Sequence, residues 1–203
     1  MIKKLVCLGD SLTEGLGVSK VAAWPALLQA QLRIEVINKG ISGDTTTGML
    51  GRFYSDVIMQ SPSHVLIMGG GNDLWWDVPI NVMLANVYAM VKQALHHQIT
   101  PIIGISSAGF NPAKMDASTV WEPIGGYEKL CEAGQHYANQ LKQMARTNAW
   151  RVVSLQDLFL QGEGTVDHSF YEGGDGLHPN EKGHKKIAQA IAESLMNQAM
   201  VSS

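Results

Sequence analysis

Three side chains stand where hydroxyl chemistry would need them. Gly9-Asp10-Ser11-Leu12 closes an apolar run at the start of the chain, and Asp175-Gly176-Leu177-His178 lies near its end. A serine at a sharp strand exit can act as a nucleophile. A histidine three positions after an aspartate, in a glycine-rich loop, can take the hydroxyl proton on one ring nitrogen. The aspartate then accepts the other ring N–H and fixes the tautomer. Between these segments lie Ser42-Gly43-Asp44-Thr45 and Gly70-Gly71-Asn72-Asp73. The backbone N–H groups of Ser11 and Gly43 and the side-chain amide of Asn72 are donors suited to negative charge developing on an oxygen.

Each piece also has an ordinary structural reading. Ser11 can be a turn former, and Asp175 with His178 a loop aspartate beside a helix-capping histidine. Gly69-Gly70-Gly71 can be a tight turn or a phosphate loop, although it has neither the G-x-G-x-x-G pattern nor a GK[ST] ending. No G-x-S-x-G elbow surrounds Ser11, so the α/β-hydrolase form of serine chemistry is not indicated. Asp10 and Asp73 suit turns better than proton transfer. Among the other histidines only His168, beside Asp167, is a distant rival to His178; the rest suit solvated or structural roles.

Residues so far apart must be gathered by a scaffold, and the pattern specifies one. Short apolar runs at Lys4–Leu8, Ile34–Asn38, His64–Met68, Pro101–Ile105 and Arg151–Leu155 predict five strands. Continuous apolar character, as in Val65-Leu66-Ile67-Met68, fits strands covered on both faces. Helices are predicted over Ala22–Leu32, with Pro25 in its first turn, over Ile80–Leu95 with Leu84, Val87, Val91 and Leu95 on one stripe, and over Tyr127–Ala149 with a stripe through Leu130, Tyr137, Leu141 and Met144. A last helix follows Asn180 as N-cap and spaces Ile187, Ile191 and Leu195 four apart. Alternating strands and helices imply one three-layer α/β/α domain with a parallel sheet, spanning 1–203. The longest non-periodic stretch, Ser106 to Gly126, follows a strand and should lie on the carboxyl-end face.

Bulk properties exclude several classes. Apolar residues make up 45% of 203 and charged residues 16%, which fits a folded core and not a disordered chain. The net charge is −3 and basic residues form no run longer than Lys3-Lys4 or Lys185-Lys186, so nucleic acid is not an expected partner. Cys7 and Cys131 read as two buried thiols. The apolar part of Met1–Leu8 is too short for a signal core, and no stretch approaches the ~20 apolar residues of a membrane span. The cytoplasm is the expected location, a mature secreted form from which a leader was cut being the alternative.

The four blocks, in order from Ser11 to His178, resemble those of the SGNH hydrolases, also called GDSL lipases or esterases. Length and block wording are similar to the bacterial thioesterase I/lysophospholipase/arylesterase group. The resemblance implies a flavodoxin-like sandwich of strand order 2-1-3-4-5, with Ser11 as nucleophile, His178 as base and Asp175 as its orienter. It also implies an oxyanion hole from Ser11, Gly43 and Asn72, a small-molecule ester substrate, and neither metal nor organic cofactor. Trp75-Trp76 lies outside the family motif; it reads as a pocket wall or as an edge packing pair. With Phe110 and Trp121 of the long loop it completes the candidate substrate contacts.

The expected activity is hydrolysis of a carboxylic ester through an acyl-enzyme on Ser11, with thioesters and lysophospholipids as further substrates. Alternatives are a carbohydrate O-acetyl esterase on the same scaffold, a non-catalytic ligand-binding module, and a nucleotide or phosphoacceptor domain using Asp10. The last leaves Asp175 and His178 without a role.

Overall fold

Alternation along each strand decides where the core sits. The computed structural model describes residues 2–107, 109–111, 113, 122–162, 164–171 and 175–197. In β1 (Lys4–Gly9), Val6 and Leu8 enter one apolar cluster while Leu5 and Cys7 enter another on the opposite face. The same division runs through β3 (His64–Met68), with Val65 and Ile67 against Leu66 and Met68, and through β4 (Thr100–Ile105). Successive side chains of a strand point to opposite faces, so an all-apolar run demands cover on both. With β2 (Glu35–Gly40) and β5 (Arg151–Ser154) these strands form one parallel sheet in the order β2-β1-β3-β4-β5. That is the expected order.

One face is covered by α2 (Trp24–Leu32) and α8 (Glu181–Asn197), which pack on each other. The other is covered by α3 (Thr46–Gly51), α4 (Phe53–Asp56), α6 (Ile80–His96) and α7 (Gly126–Thr147). The result is a three-layer α/β/α sandwich. Each fully buried Leu, Ile, Val or Met side chain contributes about 1.5–3 kcal/mol. Two short helices sit at strand exits: α1 (Ser11–Glu14) after β1 and α5 (Gly71–Trp75) after β3.

Several expectations need correcting. The buried stripe of α6 runs through Met83, Val87, Met90, Val91 and Ala94, whereas Leu95 is exposed. Met and Ala fill the inward face, and sequence period alone does not set the phase of a helix that is apolar on more than one side. β2 is an edge strand and half-exposed rather than covered on both faces. It extends to Gly40, beyond the expected end at Asn38, which puts Gly40 opposite Gly9. Cys131 is exposed rather than buried. A two-stranded hairpin, β6 (Leu160–Gln161) with β7 (Thr165–Val166), carries no pattern long enough to read.

The strand order brings the key loops together. The chain leaves β1 toward β2 on one side, and β3 lies on the other, so the crevice opens at the carboxyl ends of β1 and its neighbours. Ser11 follows β1, Gly43 follows β2 and Asn72 follows β3.

Candidate active site

Ser11 is the first residue of α1, and its turn is built locally. The Asp10 carboxylate accepts the Leu12 N–H at 3.0 Å as N-cap, and Gly15 closes the single turn with φ +93°. Gly9 lets α1 approach the strand ends: a Cβ there would stand 2.5 Å from the Met68 carbonyl oxygen and 2.2 Å from Thr13 Oγ1. Trp24 then braces the turn, its Nε1–H donating to the Leu12 carbonyl at 2.9 Å.

His178 arrives from the other end of the chain. Its Nε2 lies 2.8 Å from Ser11 Oγ, and its Nδ1 lies 2.6 Å from Asp175 Oδ2. With Nδ1–H donating to the carboxylate, Nε2 is left to accept the serine proton. Asp175 also accepts the backbone N–H groups of Leu177 at 2.9 Å and His178 at 2.8 Å through Oδ1, so one carboxylate shapes the loop and orients the ring. Burial opposes its ionisation. The hydrogen bonds from the His178 backbone and ring, with the ring's charge, outweigh that and hold the carboxyl below the ordinary carboxylate range.

The donors converge on the same cleft. Gly43 sits in the left-handed region at φ +77°, and its missing side chain leaves open space toward the cavity. Among the described residues, neither the Ser11 nor the Gly43 N–H donates to a backbone carbonyl. Asn72 Nδ2 gives one proton to the Asp44 carbonyl at 2.8 Å, which leaves its second proton for another acceptor. Asp73 points away into the core, where it accepts Thr46 N at 2.9 Å and Thr46 Oγ1 at 2.6 Å. It pins α5 to the start of α3.

A cavity of about 290 Å³ runs from Ser11, Gly43, Asn72 and His178 into an apolar channel. Its walls are Leu74 and Trp75 of α5, Ile105 at the end of β4, Phe110, and a face of α7 through Leu130, Gly134, Tyr137, Ala138 and Leu141. Tyr127 packs edge-on against Trp75 at 6.0 Å between ring centroids and lies 5.4 Å from Phe110. It joins the two into an aromatic wall. Burial raises the Tyr137 phenol well above its ordinary range, with Asp73 and Asp10 adding to the effect, so it stays neutral.

A model of the GDSL-like lipase/acylhydrolase family matches residues 7–186, a span that takes in all four blocks. The chain belongs to that family. Its chemistry is therefore ester hydrolysis. An acetylxylan esterase of Geobacillus stearothermophilus is 28% identical, the match covering 95% of this chain and 94% of that protein. An arylesterase of Vibrio mimicus is 28% identical over 96% of this chain and 88% of its own length. The psychrotrophic esterase EstA from Pseudoalteromonas sp., solved with monoethylphosphonate as inhibitor, shares the fold with a TM-score of 0.76. It is 22% identical, with 97% and 98% of the two chains covered.

In this GDSL-family chain the sequence-derived candidates divide cleanly. Ser11, Gly43, Asn72, Trp75, Phe110 and His178 line one cavity, with Asp175 behind the histidine. Trp76 does not join them: it is 48% exposed, because consecutive helical residues point about 100° apart. Trp121 lies outside the described residues. His168 lies in a 3-10 turn capped by Asp167 and does not line the cavity. Sequence reasoning missed Tyr127 and the α7 face. Its apolar stripe was visible, and Gly134 within it is the signal that space, not packing, was needed there. No helix among the described residues is long and apolar enough to cross a membrane.

Two buried titratable groups near the site oppose each other with pH. Burial pushes the Asp10 carboxyl up to about 6, against the Leu12 N–H and the His178 charge. Burial, with the His178 charge, pulls His184 down to about 4, and its Nδ1 accepts the Trp24 N–H at 3.2 Å. Between about pH 4 and 6 native Asp10 holds a proton that the unfolded chain has released. Its stabilisation is present in acid and is lost as pH rises through about 6. His184 has the opposite sign: its stabilisation is present above the ordinary 6.5 and is lost as pH falls toward 4, and burial moves His64 the same way. Asp10→Asn keeps a capping oxygen but removes one side of this balance. Its melting temperature should fall more steeply than the wild type's on acidification from about pH 6.5 to 4, followed by calorimetry. Parallel curves would mean that Asp10 is ionised in the native protein.

Proposed function

We propose that this protein hydrolyses carboxylic esters through an acyl-enzyme on Ser11, with the acyl chain lying in the apolar channel along α7. The observation that carries this reading is the continuous series from Ser11 Oγ to His178 Nε2 at 2.8 Å and from His178 Nδ1 to Asp175 at 2.6 Å, facing Gly43 and Asn72 across one cavity.

In the first step Ser11 Oγ attacks the ester carbonyl carbon while His178 Nε2 takes its proton. Negative charge moves to the carbonyl oxygen, where the N–H groups of Ser11 and Gly43 and the free proton of Asn72 Nδ2 meet it. The imidazolium, stabilised by Asp175, gives its proton to the leaving alcohol oxygen as the C–O bond breaks. Water then repeats the sequence on the acyl-enzyme, and the carboxylic acid leaves with Ser11 reprotonated.

The lining decides between acyl groups. Leu74, Trp75, Ile105, Phe110, Leu130 and Leu141 offer a long apolar surface, which an acetyl group would leave mostly unused. Each buried methylene is worth about 0.8 kcal/mol, close to a fourfold gain in kcat/KM. Along a p-nitrophenyl series, kcat/KM should therefore climb from acetate through butyrate toward octanoate. Gly134→Leu tests the location, since a Cβ at 134 meets only Leu74 Cδ1 at 3.9 Å and leucine suits a helix interior better than glycine. This variant should lose octanoate activity at least tenfold while keeping acetate activity. A profile that peaks at acetate, with turnover of acetylated xylose, would favour instead the O-acetyl esterase reading that the Geobacillus relative suggests.

A further inference from the structure

We infer that Arg52 is a positioning residue that sets the alignment of the oxyanion donors, an inference that rests on the proposed roles of Ser11, Gly43 and Asn72. Those donors come from three separate strand ends, so their alignment depends on contacts between the loops that follow the strands. Arg52, at the junction of α3 and α4, reaches the ends of β1 and β2 with one guanidinium and the β3 exit through Asp44. Its Nη2 donates to the Gly9 carbonyl at 2.9 Å, two residues before Ser11. Its Nη1 donates to the Lys39 carbonyl at the end of β2 at 2.9 Å. Its Nε donates to Asp44 Oδ2 at 2.8 Å, beside Gly43, and the carbonyl of that same Asp44 accepts Asn72 Nδ2 at 2.8 Å.

The cluster is built to be rigid. The Arg52 side chain is only 15% exposed and Asp44 11%. Arg52 Nη1 also meets Asp56 Oδ2 at 2.7 Å, and Lys39 Nζ meets Asp56 Oδ1 at 3.1 Å, so two cations face two carboxylates with no charge left over. The Gly9 carbonyl accepts Ile41 N at 3.1 Å as well, which uses both of its lone pairs. A planar fork with five donors can serve these divergent acceptors together; an ammonium at the end of a flexible stem cannot.

The test uses Arg52→Lys, Asp44→Asn, Asn72→Ala and the Arg52→Lys/Asn72→Ala pair, assayed on p-nitrophenyl butyrate below each variant's melting temperature, with Ser11→Ala as control. Arg52→Lys should lower kcat by about 10- to 100-fold, less than the roughly 10²- to 10³-fold for losing one oxyanion donor outright, because the donors are misaligned and not removed. KM should stay within about twofold, and the midpoint of the pH profile should not move, because His178 and Asp175 are untouched. In the Asn72→Ala background the same substitution should cost several-fold less, since part of its effect runs through Asn72. Asp44→Asn, the milder change, should lower kcat several-fold at constant KM. Unchanged kcat in Arg52→Lys and Asp44→Asn, full multiplication of the two effects, or a shifted pH profile would each overturn the inference. Retained hydrolysis in Ser11→Ala would instead overturn the roles on which it rests.

Discussion

Ser11→Ala should lower kcat by about 10⁶-fold on p-nitrophenyl butyrate while leaving the melting temperature within a few degrees of the wild type. The size follows from what triads lose when the nucleophile is removed: all covalent catalysis goes, and only binding and oxyanion stabilisation remain. The stability claim follows from position. Ser11 Oγ lines an open cavity, and among the described residues its side-chain partner is His178. The α1 turn is held by Asp10, Gly15 and Trp24, none of which needs the hydroxyl. The variant should also fail to react with alkyl phosphonates that label the wild type in a one-to-one ratio. Activity within a hundredfold of the wild type, in protein free of contaminating esterase, would remove Ser11 from the role of nucleophile.

The pieces of the site that were legible in the sequence are those fixed by local chemistry. Asp175 and His178 meet because only two residues of a glycine-rich loop, Gly176 and Leu177, separate them. Ser11, Gly43 and Asn72 meet because each follows a strand, and the strands were readable from continuous apolar runs. Arg52 was not legible. Its partners at positions 9, 39 and 44 are two backbone carbonyls and a turn aspartate, and no spacing rule ties an arginine to distant carbonyls. His184 was one of several histidines read as solvated or structural, and its burial on α8 against the start of α2 decides for structural.

The cleft walls were half legible. Trp75 and Trp76 are chemically equivalent in the sequence, and helical geometry alone separates the one that lines the cavity from the one that is half exposed. On α7 the stripe through Leu130, Tyr137 and Leu141 reads as core packing. Its second half, Tyr137 and Leu141, both joins the core and borders the channel, whereas Leu130 borders the channel without joining the buried core. Cys131 shows the same limit. It borders the cleft as an exposed residue, with partial desolvation raising its pKa, where composition suggests a buried thiol.

His178→Ala should cost nearly as much as Ser11→Ala, and the double variant should be no slower than either one. Members of a triad act as a unit: without the base the hydroxyl is not activated, and without the hydroxyl the base has nothing to deprotonate. Multiplied penalties in the double variant would mean that the two side chains work in separate steps. Asp175→Asn probes the third member with less disturbance. The amide oxygen can still accept the Leu177 and His178 backbone N–H groups, so the loop should hold. An amide nitrogen facing Nδ1 would donate where the carboxylate accepted, driving the ring proton to Nε2 and closing it to the serine hydroxyl. A loss of about 10⁴ in kcat is expected from that tautomer change. Because the Asp175 carboxyl is held below the ordinary carboxylate range, it stays ionised as acid begins to protonate exposed carboxylates. Protonation of Asp175 should therefore not limit the wild-type rate where exposed carboxylates titrate, and Asn at 175 should lower the plateau of the pH–rate profile throughout. A variant that keeps the wild-type plateau would show that Asp175 only shapes the loop, leaving His178 to act as base without an orienting partner.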